Sequence, residues 1–458
     1  MSTYKFFRSP QETPFIDTEY RKIHTPIPAP GTEAILRDLE ACESRSMQGQ
    51  LPLVWDRATN FSVYDKAGNK WIDFTSAIFV ANIGHSNPRL ISAVKGVLDR
   101  NLIHTYAYPH EIRSQYLKKL VAFAGPDFEK GFLVSSGTEA TEAALKLMRL
   151  NGTKQGKKRN GVICLDGNWH GRTMGAQLMC SSFEQKDWIG NNDPNIHHIP
   201  FPYPWELGEK SPEAFLQDGL KHLERKKIDL AKDICGFMLE TFQGWGAVFY
   251  PKEFVQAIEK ICIEKNILLV FDEMQSGFAR TGKKFGYEHY GVKADMIVCG
   301  KGMSSGFPLS GIIGSSGVMD IPAVGSMSST HSANPIVCTA GLVTLDEIKS
   351  NKLVEESERK GVLLHDKLNA LKKKYSDRIT YILGRGLIAA VLFCKSGGTE
   401  PDAEFASQVA ELCMRKGLLV VHTGRESIKI GPPLTISDDA LLEGIEVLDE
   451  AIAEIIGG

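Results

Sequence analysis

Residues 267–282 read ILLVFDEMQSGFARTG and carry the clearest structural signal in the chain. The first five of them are apolar and predict a buried strand, which places Asp272 and Glu273 at its carboxyl end. Ligands of parallel α/β sheets bind at that end. Because successive strand residues point to opposite faces, the two acids cannot act together on one substrate. Solvated acids at a strand-end turn are the plainer interpretation of this segment alone.

A second apolar run, residues 296–299, is followed by Lys301, which has a glycine on each side. The flanking glycines leave room for another group to approach the amine. A lysine whose ammonium reaches water beside a glycine turn would give the same pattern. Taken together, however, Lys301 could form a Schiff base and Asp272 could hold a protonated pyridine nitrogen. These are the two groups that make pyridoxal phosphate an electron sink.

The phosphate of such a cofactor needs a third element, and residues 135–146, SSGTEATEAALK, meet this need. Ser136, Gly137 and Thr138 lead into a predicted helix whose apolar residues recur at helical spacing. Backbone N–H groups and hydroxyls at a helix N-terminus bind phosphate dianions. Ser136 followed by Glu139 is also a common capping box, so this segment alone is a weak signal.

In order and spacing these segments resemble the class III aminotransferases, which depend on pyridoxal phosphate and have fold type I, and the resemblance covers nearly the whole chain. It rests on a strand that ends in Asp-Glu, the pattern QSGFARTG after it, and a second strand that ends at a lysine. The resemblance implies that Lys301 is the catalytic lysine that binds the cofactor and carries a proton. It also implies that Asp272 is the catalytic partner of the pyridine nitrogen and that Gln275 bonds the phenolic oxygen.

Two further segments match the family. Residues 169–173 read WHGRT, where the family has an aromatic residue followed by His-Gly-Arg-Thr. The resemblance implies that Trp169 stacks on the cofactor ring and that His170 lies at the cofactor, although both could simply be packed core residues. In SSTHSANP, residues 328–335, Thr330 matches the threonine that reaches the cofactor phosphate of a neighbouring subunit. That role requires a homodimer or a higher homo-oligomer.

The chain departs from the family where glutamate-using members read the α-carboxylate. The segment ETFQGWGA keeps the cofactor-binding Glu240 but carries Trp245 in place of a gating glutamate. In ILGRGLIAAVLF, Leu383 takes the position of the carboxylate-binding arginine. Arg385 would lie on the same face of the strand, about 6–7 Å further along. The glutamate and the arginine of this pair are both absent. Their joint loss is physically consistent, because either of them alone would leave a buried, unpaired charge.

These departures predict a pocket with one more apolar side, which favours an amine, an ω-amino acid or an amino sugar as substrate. Arg172, from WHGRT, could bind a carboxylate bidentately or form a structural ion pair. Ile78 is a further candidate for a residue that contacts the substrate. The expected reaction moves an amino group from a donor to a keto or aldehyde acceptor. An epimerase, aminomutase or decarboxylase with the same cofactor, and a non-catalytic binding protein on the same fold, are the alternatives.

Strand-like runs alternate with helical periods through the middle of the chain, which predicts an α/β fold with a mainly parallel sheet. By resemblance, this is a seven-stranded sheet in a large domain, accompanied by a smaller α+β domain. We expect an N-terminal arm and part of the small domain in residues 1–74, the large cofactor-binding domain in residues 75–335, and the C-terminal small domain in residues 336–458. The C-terminal part should open with one long helix, residues 336–374.

Composition excludes several classes of protein. The chain carries 53 Lys plus Arg against 55 Asp plus Glu, and this net charge of -2 predicts no nucleic-acid partner. Its 9 cysteines are scattered without a CxxC pair, so we expect neither disulfides nor a metal site. No apolar run approaches the ~18 residues of a membrane helix. We therefore expect a cytoplasmic protein without a membrane partner.

Overall fold

A computed structural model describes residues 4–47, 49–181 and 184–457, and the chain forms two compact units. The large unit consists of residues 88–244 and 248–354. The small unit consists of residues 1–87, 245–247 and 355–458. The domain boundaries predicted from the sequence, after residues 74 and 335, stay predictions.

The strands of the described residues are numbered in chain order. They are β1 (Ile16–Asp17), β2 (Lys22–Ile23), β3 (Arg57–Thr59), β4 (Ser62–Tyr64), β5 (Lys70–Asp73), β6 (Lys130–Val134), β7 (Gly161–Leu165), β8 (Ile196–Ile199), β9 (Ile234–Glu240), β10 (Phe242–Gln243), β11 (Val248–Phe249), β12 (Leu268–Asp272), β13 (Met296–Cys299), β14 (Ser310–Gly314), β15 (Ile379–Arg385), β16 (Ile388–Phe393), β17 (Leu418–Leu419), β18 (Val421–His422) and β19 (Ser427–Ile430).

The α-helices are numbered in the same way. They are α1 (Glu33–Cys42), α2 (Ser76–Phe79), α3 (Pro88–Asp99), α4 (Glu111–Ala124), α5 (Gly137–Lys154), α6 (Met174–Met179), α7 (Pro204–Leu207), α8 (Pro212–Arg225), α9 (Leu230–Asp233), α10 (Lys252–Lys265), α11 (Ser316–Met319), α12 (Pro335–Ser350), α13 (Leu353–Lys374), α14 (Ala403–Arg415) and α15 (Asp438–Gly457). Short 3₁₀ helices cover Arg45–Met47, Glu184–Ile189, Gly286–Tyr290 and Lys301–Met303.

A seven-stranded sheet in the order β6-β14-β13-β12-β9-β7-β8 forms the centre of the large unit. Strand β14 pairs antiparallel with both of its neighbours, and the other adjacent strands pair in parallel. This confirms the predicted α/β fold with a mainly parallel sheet. In register, Asp272 of β12 lies beside Glu240 of β9 and Val298 of β13. The carboxyl ends of these three strands therefore meet at one edge of the sheet.

The central strands of this sheet are buried on both faces. All residues of β9 and β12 are buried, and their sequences, ICGFMLE and LLVFD, are almost continuously apolar. Such runs are typical of parallel strands covered on both sides. Helix α5 packs its alanines 140, 143 and 144 into the core together with residues of β9, β12 and β13.

The small unit contains two sheets. Strands β1 to β5 form one of them, and β17 joins β5 in parallel through Leu418 and Leu419. The N-terminal arm is extended, and its Ile23 and Ile27 are fully buried in one cluster with Trp71 of β5. Strands β15, β16, β19 and β18 form the second sheet, which is antiparallel throughout. The arm is therefore part of the core of its own unit.

The single helix predicted for residues 336–374 is wrong, because the chain forms α12 and α13 there. Asn351 is the C-cap of α12, and Lys352 has a left-handed backbone with φ of 49°. Neither Gly nor Pro marks the break, and apolar residues recur at helical spacing on both sides of it. A lysine in the left-handed region is rare, so the residue type does not announce the turn.

Three observations bear on the surroundings in which the chain works. Among the described residues, no helix is both long and apolar enough to cross a membrane. No group of three or more His, Cys, Asp or Glu side chains in that part of the chain could hold a metal ion. All the cysteines are free thiols, and all but Cys42 are buried.

Candidate active site

A cavity of about 140 Å³ lies in the large unit, at the sheet edge where β9, β12 and β13 end. Several predicted cofactor-binding residues line it, namely Gly137, Thr138, Trp169, His170, Glu240, Asp272, Gln275 and Lys301. Sequence reasoning missed four other lining residues, which are Gly171, Phe242, Met274 and Ser276. Each of the four lies within two residues of a predicted one, so proximity in the sequence was the signal that could have found them.

Asp272 is buried at the end of β12, and both of its oxygens are held. Its Oδ1 accepts a hydrogen bond of 3.0 Å from the Met274 backbone N–H. Its Oδ2 lies 2.9 Å from Nδ1 of His170, whose side chain is fully buried. A carboxylate fixed in this way presents a defined negative charge to the cavity.

Glu273 points away from the cavity, as strand alternation predicts. Its carboxylate accepts hydrogen bonds of 2.6 Å from the hydroxyls of Thr241 and Ser276. The backbone N–H groups of Gly286 and Tyr287 donate to it at 2.8 and 2.7 Å. Burial raises the pKa of Glu273, although these hydrogen bonds oppose the rise. Glu273 is therefore a structural acid that holds the segment after β12.

Lys301 follows β13 and has a left-handed backbone with φ of 44°. A backbone of this kind is uncommon for a non-glycine residue, and such residues cluster at functional sites. Burial lowers the pKa of Lys301, while the charges of Asp272 and Glu240 act in the opposite direction. A Cβ on the preceding Gly300 would come within 2.5 Å of the Met274 sulfur, so this position has no room for a side chain.

The N-terminus of α5 forms another side of the cavity. Ser136 is the N-cap, and its hydroxyl and backbone N–H form a capping box with Glu139. Ser136 therefore uses its side chain within the helix start, whereas Gly137 and Thr138 line the cavity. A Cβ on Gly137 would lie 2.9 Å from the Met274 sulfur. The segment therefore contains both features expected from the sequence. Ser136 and Glu139 form a capping box, and the helix start beside them lines the cavity.

The segment WHGRT crosses this helix start. The Trp169 backbone N–H donates to Glu240 at 2.9 Å, which holds the backbone of Trp169 beside the cavity that this residue lines. Gly171 has φ of 143°, and a Cβ there would come within 2.4 Å of the Thr138 hydroxyl oxygen. Arg172 places its guanidinium carbon 4.4 Å from the centre of the Trp169 ring. This cation–π contact backs the indole with a positive charge.

Thr330 is exposed and does not line the cavity of its own chain. Its backbone carbonyl lies 2.8 Å from Nε2 of His104. The hydroxyl of the neighbouring Ser329 donates to Glu139 at 3.1 Å, which ties this loop to the start of α5. A role for Thr330 at the phosphate of a second subunit stays a prediction.

The other predicted substrate residues belong to the small unit. Trp245 is half-buried, and the guanidinium of Arg425 lies 3.8 Å from the centre of a ring of its indole. Leu383 pairs with Ala390 in the sheet and is half-buried, whereas Arg385 is exposed two residues further along β15. Their part in substrate binding stays a prediction.

Ile78 lies in an unusual turn of the small unit. Residues 76–79 all have positive φ, with 63° at Ile78, and the Ile78 side chain is 39% exposed. A left-handed backbone is a genuine outlier for a β-branched residue, and such strain clusters at functional sites. Lys429, which sequence reasoning missed, is buried with its ammonium 4.4 Å from the centre of the Phe79 ring. A lysine inside the otherwise buried strand SIKI was the available signal.

The chain is similar to known proteins in family, in sequence and in structure. Residues 44–452 match the family described as Aminotransferase class-III. The chain is 31% identical over 448 residues to the 4-aminobutyrate aminotransferase of Mycobacterium leprae (strain TN), which covers 95% of this chain and 98% of that protein. It is 31% identical over 412 residues to the acetylornithine aminotransferase of Caldanaerobacter subterraneus subsp. tengcongensis, covering 88% of this chain and 95% of that protein.

Solved structures show the same fold. The ornithine aminotransferase of Toxoplasma gondii ME49 matches with a TM-score of 0.82 and 26% identity, over 93% of this chain and 96% of that chain. A second structure of the Toxoplasma gondii enzyme, with partial occupancy of PLP at its active site, matches with a TM-score of 0.81 and 25% identity, over 93% and 95% of the two chains.

Proposed function

Because the chain belongs to the class III aminotransferase family, whose enzymes depend on pyridoxal phosphate, we propose that it moves an amino group from a terminal-amine donor to a keto or aldehyde acceptor. A terminal-amine donor here means an amine, an ω-amino acid or an amino sugar, in which no carboxylate adjoins the reacting carbon. The observation that carries the proposal is the single cavity lined by both Lys301 and Asp272.

The cavity has a matching group for each part of pyridoxal phosphate. The residues that would hold it are Gly137 and Thr138 for the phosphate, Asp272 for the ring nitrogen, Gln275 for the phenolic oxygen, Trp169 for the ring face and Lys301 for the aldehyde. A Cβ at Gly137 would come within 2.9 Å of the Met274 sulfur, so a glycine suits the start of α5 beside the cavity. These observations fit the cofactor.

When bound, pyridoxal phosphate supplies an electron sink that stabilises negative charge on the donor carbon. The Nζ atom of Lys301 would hold the cofactor and, once released, carry a proton to and from that carbon. Because burial lowers its pKa, a larger fraction of this amine is neutral near pH 7 than of an exposed lysine. The neutral amine is the form that attacks a carbonyl carbon and accepts a proton.

Asp272 would keep the cofactor's ring nitrogen protonated. Its carboxylate is already oriented by Met274 and His170, so little reorganisation is needed when positive charge arrives. Glu240 would act less directly, because it accepts the hydrogen bond from the Trp169 backbone N–H and so holds the backbone that carries the indole. His170 would orient Asp272.

Two departures of the sequence from the family pattern support the donor class. Trp245 and Leu383 carry no charge, so neither half of a glutamate-reading pair is present. A donor with its carboxylate far from the reacting carbon, or with none, avoids burying an unpaired anion. Among the relatives, one is named for 4-aminobutyrate and another for ornithine, and both compounds carry a terminal amine.

Donor-only single turnover tests this function. With bound pyridoxal phosphate and no acceptor, 4-aminobutyrate or a simple diamine should give up to one carbonyl product per subunit, at least about tenfold faster than glutamate. Lys301→Ala should form this product about 10³-fold more slowly. Glutamate as the fastest donor would contradict the donor class. Stereochemical inversion or CO₂ release without a carbonyl product would instead identify an epimerase or a decarboxylase.

We also propose a homodimer or higher homo-oligomer in the cytoplasm. Exposed apolar side chains lie in the last turn of α3 and just after it in the large unit, with Leu98 43%, Ile103 58% and Tyr108 76% exposed. Large exposed apolar side chains close together in the sequence support a protein partner, and His104 ties the same segment to the loop of Thr330. The free thiols support a reducing compartment.

A further inference from the structure

We infer that Asn168 is a positioning residue, which holds His170 as a neutral imidazole protonated on Nδ1. Asp272 then accepts a hydrogen bond from a neutral imidazole. Since no imidazolium offsets the negative charge of the Asp272 carboxylate, that charge is left for the ring nitrogen of the cofactor. Only this last step rests on the proposed function. The hydrogen-bond relay itself is a property of the chain.

The turn after β7 places Asn168 behind the active site. Gly167 has a left-handed backbone with φ of 82°, and a Cβ there would come within 1.7 Å of Nε2 of Gln243. The Asn168 backbone N–H donates to the Leu165 carbonyl at 3.3 Å, which closes the turn. The Asn168 side chain is only 3% exposed and does not line the cavity. It therefore acts on the site only through its neighbours.

Two contacts connect this amide to Asp272. Asn168 Nδ2 lies 3.4 Å from His170 Nε2, and His170 Nδ1 lies 2.9 Å from Asp272 Oδ2. All three side chains are buried. An amide NH₂ group can only donate, so Nε2 must be the accepting nitrogen of the ring. The single proton of the neutral imidazole then resides on Nδ1, where it is donated to the carboxylate.

Tyr250 favours this orientation of the amide. The Tyr250 hydroxyl is buried and interacts with the Asn168 side chain, and burial raises its pKa well above the usual value, so it keeps its proton. Among the described residues, the Tyr250 hydroxyl and Asn168 Oδ1 both lack a closed hydrogen bond. A small rotation that joins them would satisfy both atoms and leave Nδ2 for His170. If the Asn168 amide were reversed, its Oδ1 would face Nε2 of His170. An acceptor at that position would favour a proton on Nε2 and therefore the doubly protonated imidazolium of His170.

The other ionisable neighbours of His170 do not supply a competing proton. Burial lowers the pKa of His198 to about 4, so this ring is neutral near pH 7. Cys180 accepts the hydrogen bond from the His170 backbone N–H at 3.1 Å, and burial raises the pKa of its thiol. Asp272 and Asn168 are thus the two groups that decide where the ring proton lies.

Nitrogen NMR of histidine tests this inference on the full-length holoenzyme. The protein is labelled with ¹⁵N only in its 12 histidines, and the His170 signals are assigned by their loss in His170→Gln. At pH 7.5 we expect one protonated nitrogen, Nδ1, and one bare nitrogen, Nε2. In Asn168→Asp the new carboxylate should accept a hydrogen bond from Nε2 and so stabilise a proton taken up there from solvent, and the bare-nitrogen signal should disappear. Tyr250→Phe, a milder change, should reduce it.

Asn151→Asp is the matched control, because Asn151 is another buried asparagine of the large unit. It should leave the His170 signals unchanged. The inference is overturned if wild-type His170 is doubly protonated or carries its proton on Nε2. It is equally overturned if both Asn168→Asp and Tyr250→Phe fold and leave the wild-type spectrum. None of these outcomes depends on turnover, whereas failure of the proposed function appears only in the donor-only assay.

Discussion

Lys301 joins a strained backbone to a buried amine at the end of a strand. If this amine carries the proton, Lys301→Ala should lower donor-only product formation by about 10³-fold, the range expected for loss of a general base. Rapid-quench measurement of carbonyl product checks this. The control is Lys118→Ala, on an exposed position of α4, which should keep wild-type rates. Comparable losses in both variants would argue against a special role for Lys301.

The lowered pKa of Lys301 predicts a pH-dependent stability of the cofactor-free protein. The unfolded chain binds this proton more tightly than the folded chain, so the buried amine destabilises the fold most at low pH. That penalty fades as pH rises towards 10.5, the ordinary value. Lys301→Met should therefore raise the free energy of unfolding more at pH 6.5 than at pH 9.5. Urea titrations at the two pH values measure the difference, and an equal gain at both would contradict the shift.

Single residues were predictable from the sequence where a strand end fixed their direction. Asp272 and Glu273 point to opposite sides because strand side chains alternate, and this required no tertiary information. The sequence could flag Met274 and Lys429 as candidates but not predict their contacts, because nothing local shows that the Met274 sulfur lies near Gly137 and Gly300 or that Lys429 is buried against Phe79. Such contacts arise only when distant segments meet.

At the scale of elements, the start of α5 and the WHGRT segment approach each other through Gly171. Gly171→Ala should add a clash with Thr138 and a backbone conformation that alanine avoids. We expect about 1–3 kcal/mol of local strain and at least a tenfold weaker affinity for pyridoxal phosphate, measured by equilibrium dialysis. Gly190→Ala, at an open left-handed glycine of the same unit, controls for backbone strain alone. Equal affinities in both variants would show that the approach is unimportant.

The break between α12 and α13 gives a second prediction. Lys352→Gly should relieve the left-handed strain, which costs about 1–2 kcal/mol, against a glycine entropy cost of about 0.5–1 kcal/mol. The net gain is roughly 0.5 kcal/mol in the free energy of unfolding, measured with urea. Lys349→Gly, inside α12, should instead destabilise by about 1 kcal/mol. A loss at both positions would mean that Lys352 is not strained.

The bounds of the continuously apolar strands were predicted nearly to the residue. A strand that is buried on both faces consists almost entirely of apolar residues, so its two ends are visible in the sequence. Residues 296–299 form a strand with the expected bounds, and the strand expected over residues 267–271 is Leu268–Asp272. The two-residue strands, such as β1 and β17, were not predictable, since two residues show no period and pair only because the fold brings them together.

For the whole molecule, mixed oligomers test whether Thr330 acts on a neighbouring subunit. Lys301→Ala and Thr330→Ala are each expected to impair the enzyme. A hybrid dimer contains one subunit with Lys301→Ala and one with Thr330→Ala. If Thr330 acts on the active site of the other subunit, both substitutions affect the same site and the second site is intact. Mixing should then restore about half of the wild-type activity per hybrid, because a dimer has two sites. Activity equal to the mean of the two parents would show that Thr330 acts within its own subunit, and elution of the wild type as a monomer would remove the basis for the test.

The small unit draws on both ends of the chain, and this affects its synthesis. The backbone N–H groups of Ile72 and Phe74 donate to the carbonyls of Gly417 and Leu419, and both bonds measure 2.9 Å. A ribosome makes these donors hundreds of residues before their acceptors, whereas every strand of the seven-stranded sheet exists once Gly314 has been added. A nascent chain interrupted after that point would carry an open β-edge at β5. Such an edge is a template for aggregation, so a premature stop late in the message should yield insoluble product rather than a shortened enzyme.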